Sequence, residues 1–558
     1  MRRRAFIEYS ALAGAGLLLD GSLGRASAHP PSPSAMAGQG GRLAGATVKT
    51  TGGLLRGYID NNVHVFKGVP YGASTAGANR FMPPQKSKPW TGVRDAATWG
   101  GRAPQVVGGE PAEMIPTDPR EAQSEDCLML NVWTPNPGNG QRRPVMVWLH
   151  GGGFASGSGS YSIYEGRELA RKHDVVAISV NHRLNIFGFL NLAQFGGKWA
   201  NASNAGMLDI VAALEWVRDN ITAFGGDPRN VTVFGQSGGA AKVATLMAMP
   251  SARGLFHKAI AQSGAALTST PAAQAATTTE TVLLRLNLEP DQLDELQKIP
   301  VERLIDVMRP APGAPPGPGP GAGLTLGPVV DGRTLPSNPF DPAAPGQSAG
   351  VPFLTGTTAT EITFFAPDDQ LRPIDDATFR QRVKALMKVT DAQADRLINV
   401  YRTNEPGRDN IDLYLRMATD NSFFRLNGDT QAERKAAQRG APVYMYRFEY
   451  YSPVREGRLK AMHCMEIPFV FDNLSAGSVY TGTSPAAQRI ADQMSAAWVA
   501  FARTGNPNHR GIPQWPGFNA TQMPTMVFGG ETRLVNDPGR EQRLALKAIR
   551  DAQAKTTA

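Results

Sequence analysis

The chain has 558 residues, 41% of them hydrophobic and 19% charged, with a formal net charge of +9; this is enough apolar material for a large core and excludes wholesale disorder. Only +2 of that charge lies in the N-terminal segment (Arg2, Arg3, Arg4 and Arg25 against Glu8 and Asp20), and no dense Lys/Arg block follows, so nucleic acid is not an expected partner. Two distant cysteines, Cys127 and Cys464, supply neither a disulfide framework nor a metal knuckle, and two unpaired thiols are expected.

Residues 1–28 read as an export signal. Arg2-Arg-Arg-Ala-Phe-Ile7 is basic, Ala11-Leu-Ala-Gly-Ala-Gly-Leu-Leu-Leu19 is apolar, and Ala26-Ser-Ala28 offers small residues for cleavage, with a second such site at Ala35-Met-Ala37. The twin arginines suggest export of a folded protein to the periplasm or beyond. A linker is expected over 29–45, one large domain over 46–545 and a tail over 546–558. No later stretch is long and apolar enough for a membrane helix, so the mature protein is expected to be soluble.

From Ala46 the chain shows short alternating strands, Thr47-Val-Lys-Thr50 and Leu54-Leu-Arg-Gly-Tyr-Ile59, the expected antiparallel start of a sheet. Strands are predicted at Leu128–Trp133 and Pro144–His150, the second running into Gly151-Gly-Gly-Phe-Ala-Ser-Gly157. A glycine run at a strand's end exposes N–H groups that converge on an anion. A phosphate loop fails on detail, since the run has no Gly-Lys-Ser/Thr ending and no Gly-x-Gly-x-x-Gly spacing; an oxyanion hole fits better.

Val175–Val180 is a continuous apolar run of the kind buried on both faces of a parallel sheet, Met207–Val217 has helical spacing, and Asp227-Pro228 closes the loop that follows. Then Val231–Phe234 breaks into Gly235-Gln-Ser-Gly-Gly239. A serine at the apex of a strand-to-helix turn is held out over a helix N-terminus, where free N–H groups favour negative charge. Alone, this pentapeptide fits a nucleophile and a bystander in a glycine turn about equally. The succession of strand, helix, strand, turn and helix indicates an α/β fold with an open parallel sheet, active at the strands' carboxyl ends. Lys258–Gly264 reads as a further strand, Arg309–Gly323 (309–323) as an exposed Pro/Gly-rich insertion, residues 375–438 as a helical cap, and Val443–Tyr451 as a returning strand.

A serine nucleophile needs a base to take its proton and an acid to orient that base, in the chain order serine, acid, histidine for an α/β-hydrolase arrangement. Three histidines follow Ser237. His257 is too close behind the helix to leave room for an acid strand, and His509 sits in a turn-dense stretch. His463 follows a strong strand and is preferred. Glu361, just beyond the strand-like Val351–Gly356, is the expected acid. Asp331 is its competitor, although Pro328-Val-Val-Asp-Gly332 reads as a turn aspartate bonding its own backbone. Glu466 lies too near His463 in sequence to orient it.

Eight ordered motifs resemble the type-B carboxylesterases, the α/β-hydrolase family that includes the cholinesterases: Ser124-Glu-Asp-Cys-Leu128, Gly151-Gly-Gly-Phe154, Asn181 to Gly188, Phe224-Gly-Gly-Asp-Pro228, Phe234-Gly-Gln-Ser-Gly-Gly239, Gln262-Ser-Gly264, His463-Cys-Met-Glu-Ile467 and Phe501-Ala-Arg-Thr-Gly-Asn-Pro507. The resemblance runs from about Val48 to Phe528. It implies an α/β-hydrolase fold, a mostly parallel sheet with helices on both faces and large cap insertions. It further implies Ser237 as nucleophile, Glu361 as acid, His463 as base, and an oxyanion hole on Gly152, Gly153 and Gly238. Ser263 matches a serine that hydrogen-bonds near the buried acid, while Arg80 with Glu125 and Arg183 with Asp209 match structural ion pairs. Phe364 and Phe365 are candidate substrate walls or core residues.

Three departures limit the transfer. Gly238 stands where the family usually has alanine, Cys127 has no earlier cysteine to pair with, and no tryptophan between Gly101 and Asp126 could cradle a choline. The expected activity is hydrolysis of small-molecule carboxylic esters through an acyl-enzyme, with no metal or cofactor. Amides, carbamates and lactones remain alternative substrates, because specificity lies in pocket shape. A non-catalytic scaffold module is the rival from another class, and the complete triad argues against it.

Overall fold

Alternate residues of the strand Arg143–Leu149 enter two different hydrophobic layers: Val145, Val147 and Leu149 in one, Met146 and Trp148 in the other. Such a strand lies between two layers of helices, which is why its sequence is apolar throughout rather than alternating. The computed structural model describes residues 43–106, 121–310, 324 and 326–557. The expected export signal and the greater part of the Pro/Gly-rich insertion lie outside these residues.

The strands are, in chain order, β1 (Leu43–Lys49), β2 (Leu54–Asp60), β3 (Val63–Pro70), β4 (Val93–Asp95), β5 (Met129–Thr134), β6 (Arg143–Leu149), β7 (Val176–Val180), β8 (Gly226–Gln236), β9 (Lys258–Gln262), β10 (Thr270–Pro271), β11 (Val329–Val330), β12 (Phe353–Thr358), β13 (Val443–Phe448), β14 (Pro524–Phe528) and β15 (Arg533–Asn536). Among the described residues, all but β10 and β11 join one 13-stranded sheet in the order β1-β2-β3-β5-β7-β6-β8-β9-β12-β13-β14-β15, with β4 beside β2. From β7 to β14 every neighbouring pair is parallel; the leading strands and β15 are antiparallel, except β4, which runs parallel to β2.

One face of the sheet carries the helices Ala205–Asn220 and Gly238–Ala248, whose Ile210, Leu214, Val243 and Met247 join Val147 and Val233. The other carries Arg167–His173 and Pro485–Thr504, whose Leu169, Met494 and Trp498 join Trp148, Phe234 and Tyr446. The sheet with helices on both faces is therefore as expected.

The predicted helical region resolves into four helices, Asp376–Met387, Asp391–Asn404, Asn410–Asp420 and Phe423–Ala437. The first three share a separate hydrophobic cluster, centred on Phe379, Leu397 and Met417. Asp375, Thr390 and Asp409 cap the starts of these three with side-chain acceptors.

Three boundaries differ from expectation. β1 begins at Leu43, so the end of the proposed linker already pairs with β2. The proposed tail from 546 continues a helix, Arg540–Thr557, because Leu546 is buried in the cap cluster. Asp227-Pro228 lies within β8, where the ladder to β6 shifts register between Arg143 and Val145 and a proline is tolerated.

Two ion pairs brace the approach to the site. Arg183 and Asp209 are 1% and 0% exposed. The guanidinium donates to both carboxylate oxygens at 2.8 and 2.6 Å, and the Arg183 backbone N–H adds a third bond at 3.0 Å. This ties the segment after β7 to the helix Ala205–Asn220. Arg80 makes an equivalent fork to Glu125, at 2.7 Å on each branch.

Asp209→Ala strands a buried guanidinium, and breaking such a pair costs about 3–5 kcal/mol. A large drop in the denaturation midpoint is expected, and an unchanged midpoint would contradict the assignment of Arg183 and Asp209 as a structural brace.

Candidate active site

β8 passes into the helix Gly238–Ala248 with only Ser237 between them. Ser237 takes φ 57 and ψ −124, a backbone region that costs a side-chain-bearing residue about 1–3 kcal/mol. Its neighbours hold it there. The Ser237 N–H donates to the Gln262 carbonyl at the end of β9 (2.8 Å), and its own carbonyl accepts from Ala241 (3.1 Å). The residue is left half-exposed at the carboxyl edge of the parallel strands.

The glycine run after β6 curls over this turn. Gly152 and Gly153 adopt φ 83 and 62, left-handed conformations that suit glycine. The Gly152 carbonyl accepts from Ala155 (3.2 Å) and Ser156 (3.1 Å), which closes the loop. Asn185 holds it from outside: its N–H donates to the Phe154 carbonyl (2.6 Å) and its amide to Ala155 (3.1 Å). Among the described residues, none of the N–H groups of Gly152, Gly153 and Gly238 donates a hydrogen bond. A Cβ added at Gly238 would lie 2.5 Å from the Gly153 nitrogen and 2.2 Å from its oxygen. The missing side chain is thus what lets the loop sit directly on the turn at Ser237.

Glu361 opens the turn Glu361–Phe365 that follows β12. It is fully buried with both oxygens engaged: Oε1 accepts from Thr358 N–H (2.7 Å) and Oε2 from His463 Nδ1 (2.6 Å). The loop carrying His463 is pinned to the acid's turn, since Thr360 N–H donates to the Ala461 carbonyl and Ala461 N–H to Thr360 Oγ1, both at 3.1 Å. With Nδ1–H committed to Glu361, Nε2 is the accepting nitrogen. The amide nitrogen of Gln236, the residue before the serine, lies 3.3 Å from Nδ1 and 3.2 Å from Nε2, against the ring and off the Nε2 lone pair. Gln236 also accepts from the Cys464 thiol at 3.3 Å. The Ser237 hydroxyl itself makes no hydrogen bond among the described residues.

The other candidates fall away on geometry. Asp331 is occupied with its own turn, accepting from Arg333 (2.9 Å) and Leu335 (3.0 Å) N–H groups. His257 Nδ1 accepts from the Val231 N–H (3.2 Å), and His509 Nε2 lies 3.0 Å from the Gln493 carbonyl. Ser263 is buried beside the site, and its Oγ has no hydrogen-bond partner among the described residues. Cys127 and Cys464 are buried and unbridged.

Phe364 and Phe365 have ring centroids 5.8 and 5.2 Å from the His463 ring; Phe364 is partly buried and Phe365 is exposed. Phe424, which sequence reasoning missed, comes closer at 4.7 Å and is itself packed on Phe423. It comes from the cap helix Phe423–Ala437, and no spacing in the sequence ties that helix to His463.

A second acid lies beside the first. Glu466 is fully buried and accepts one hydrogen bond, from Gln262 (3.3 Å), while its Oε2 has no partner among the described residues. Burial, and then the nearby charge of Glu361, push its carboxyl up to about 7 from an ordinary 4.5. Between those values the folded protein holds a proton that the unfolded chain has released, so stability falls as pH rises through this window. At about 1.4 kcal/mol per tenfold change in proton affinity, the loss is on the order of 3 kcal/mol. Glu466→Gln removes the ionisation and keeps the shape. Its stability is expected to decline less than the wild type's between about pH 4.5 and 7, and parallel stability curves would contradict the assignment.

The model for the carboxylesterase family matches residues 44–546. The chain is 36% identical over 509 residues to the para-nitrobenzyl esterase of Bacillus subtilis, covering 89% of this chain and 98% of that protein. It is 36% identical over 512 residues to the phenmedipham hydrolase of Pseudarthrobacter oxydans, covering 90% and 98%. Among solved structures, the Geobacillus stearothermophilus carboxylesterase at pH 6.2 superposes with a TM-score of 0.74 at 37% identity, covering 90% of this chain and 99% of that one. An esterase from Clostridium hathewayi gives 0.79 at 32%, covering 90% and 98%. Fold and likeness agree across nearly the whole described chain, which belongs to the carboxylesterase family and is a hydrolase of carboxylic esters.

Proposed function

We propose that hydrolysis proceeds through an acyl-enzyme on Ser237, with His463 as base and Glu361 as the acid that orients it. The observation that carries this reading is the buried His463–Glu361 pair, its Nδ1 bound to the carboxylate at 2.6 Å and its ring set against the side chain of Gln236, the residue before the serine. Ser237 Oγ bonds to the ester carbonyl carbon and its proton passes to Nε2. The carbonyl oxygen becomes an oxyanion within reach of the Gly152, Gly153 and Gly238 N–H groups. Collapse expels the alcohol, which takes the proton from His463. Water then attacks the acyl-enzyme, giving its proton to Nε2, and the carboxylic acid leaves as the serine is restored.

Phe364, Phe365 and Phe424 form an apolar wall beside the imidazole that returns the proton to the leaving alcohol. That placement favours an apolar or aromatic alcohol portion, and the para-nitrobenzyl esterase among the relatives supports it.

A panel of p-nitrophenyl esters of rising acyl length tests the reading. Ser237→Ala and Glu361→Ala are each expected to lose activity on the order of 10⁴-fold or more. Asp331→Ala should remain far closer to the wild type, since its carboxylate serves a turn. Undiminished hydrolysis by Ser237→Ala, or a greater loss from Asp331→Ala than from Glu361→Ala, would contradict it.

A further inference from the structure

Lys242 lies on the helix that begins after Ser237, and its side chain is wholly buried. Burying an ammonium is costly unless the interior offers it compensating partners. Nζ donates to the His150 carbonyl at 2.9 Å and lies 5.6 Å from the centre of the Phe154 ring, within the range of a cation–π contact. These two partners bracket Gly151, Gly152 and Gly153, the run whose Gly153 backbone packs against Gly238. One charge on the nucleophile helix therefore grips the loop at both ends. Beneath it lie His150 and His182, stacked with ring centroids 4.9 Å apart. Burial, reinforced by the Lys242 charge, holds both well below the usual imidazole range, so this layer adds no competing cation.

The loop needs such a grip. Its glycines have no side chains to pack, and at Gly238 only the absence of a Cβ admits the Gly153 backbone. A peptide plane is rigid, so fixing the His150 carbonyl fixes the direction in which the chain enters the glycines. We propose that Lys242 is a positioning residue for ester hydrolysis, clamping the His150–Phe154 loop onto the nucleophile turn so that the Gly152 and Gly153 N–H groups stay aligned with that of Gly238. This rests on the reading of Ser237 as nucleophile given above.

The test separates transition-state stabilisation from substrate binding. An alkyl trifluoromethyl ketone adds reversibly to the serine: the Oγ–carbon bond forms, the proton moves to His463, and the carbonyl oxygen becomes an oxyanion in the same hole. Lys242→Met keeps the length of the side chain and removes the charge. Misplacing catalytic groups by about 1 Å costs about 10²-fold. For p-nitrophenyl butyrate, kcat is expected to fall about 100-fold with KM nearly unchanged, and the ketone should bind weaker by a similar factor. Unchanged ketone affinity, whether or not kcat falls, would overturn the proposal, as would a loss confined to KM. If Lys242→Met does not fold, Phe154→Leu decides. It leaves the lysine in place and removes the ring at one end of its grip, so a smaller fall in kcat and in ketone affinity with KM nearly unchanged is expected, and undiminished ketone affinity would overturn the grip on which the proposal depends. Hydrolysis by Ser237→Ala at the wild-type rate would instead overturn the underlying nucleophile assignment.

Discussion

The backbone of Ser237, bent to φ 57 and ψ −124 between β8 and its helix, is the constraint on which the site depends. A strand in the middle of a parallel sheet cannot turn directly into a packed helix without such a bend. The sheet supplies the force that sustains it. β8 is flanked by β6 and β9 in parallel register, and the Ser237 N–H is drawn onto the end of β9. Because all three strands end at the same edge, the bend places the serine next to the loop after β6. Two strands further on, the turn after β12 brings Glu361 to the same edge, and the loop after β13 brings His463.

The electrostatics of the site follow from burial. Glu361 is wholly enclosed yet has both oxygens occupied, one by a backbone N–H and one by an imidazole, so its negative charge is compensated locally. Glu466, equally enclosed, has one occupied oxygen and one without a partner among the described residues. A lone ionised carboxylate there would cost several kcal/mol, and its raised proton affinity is the expected response. Two neighbouring acids thus divide their roles by the number of donors each is given. Lys242 is a buried cation that meets a carbonyl and an aromatic ring of the glycine loop after β6.

Much of this was legible in the sequence where the determinant is local. The strand before Ser237 and the glycines around it describe a sharp turn, and Pro328-Val-Val-Asp-Gly332 announces an aspartate used by its own backbone. Serine, acid and histidine stand in the order that a parallel sheet with crossovers imposes, so topology could be read from succession. What could not be read depends on contacts between distant segments. Phe424 reaches His463 from a cap helix with weak amphipathic patterning. Lys242 reads as an ordinary helix residue until the loop after β6 is folded over it. The helix Arg540–Thr557 resembles a polar tail because Leu546 meets its partners, Phe379 and Leu397, only in the folded cap. By contrast, the helix Pro485–Thr504 carries its signal openly in Ile490, Met494, Trp498 and Phe501, and long-range knowledge adds only its place on the second face of the sheet.

The most direct measurement is the mass of the protein after brief exposure to a slowly hydrolysed aryl ester, followed by peptide mapping of the acylated species. The account predicts one added acyl group, located on Ser237 and lost with time as the carboxylic acid is released. An acyl group on any other residue, or turnover with no acylated species in a rapidly quenched reaction under saturating substrate, would contradict it.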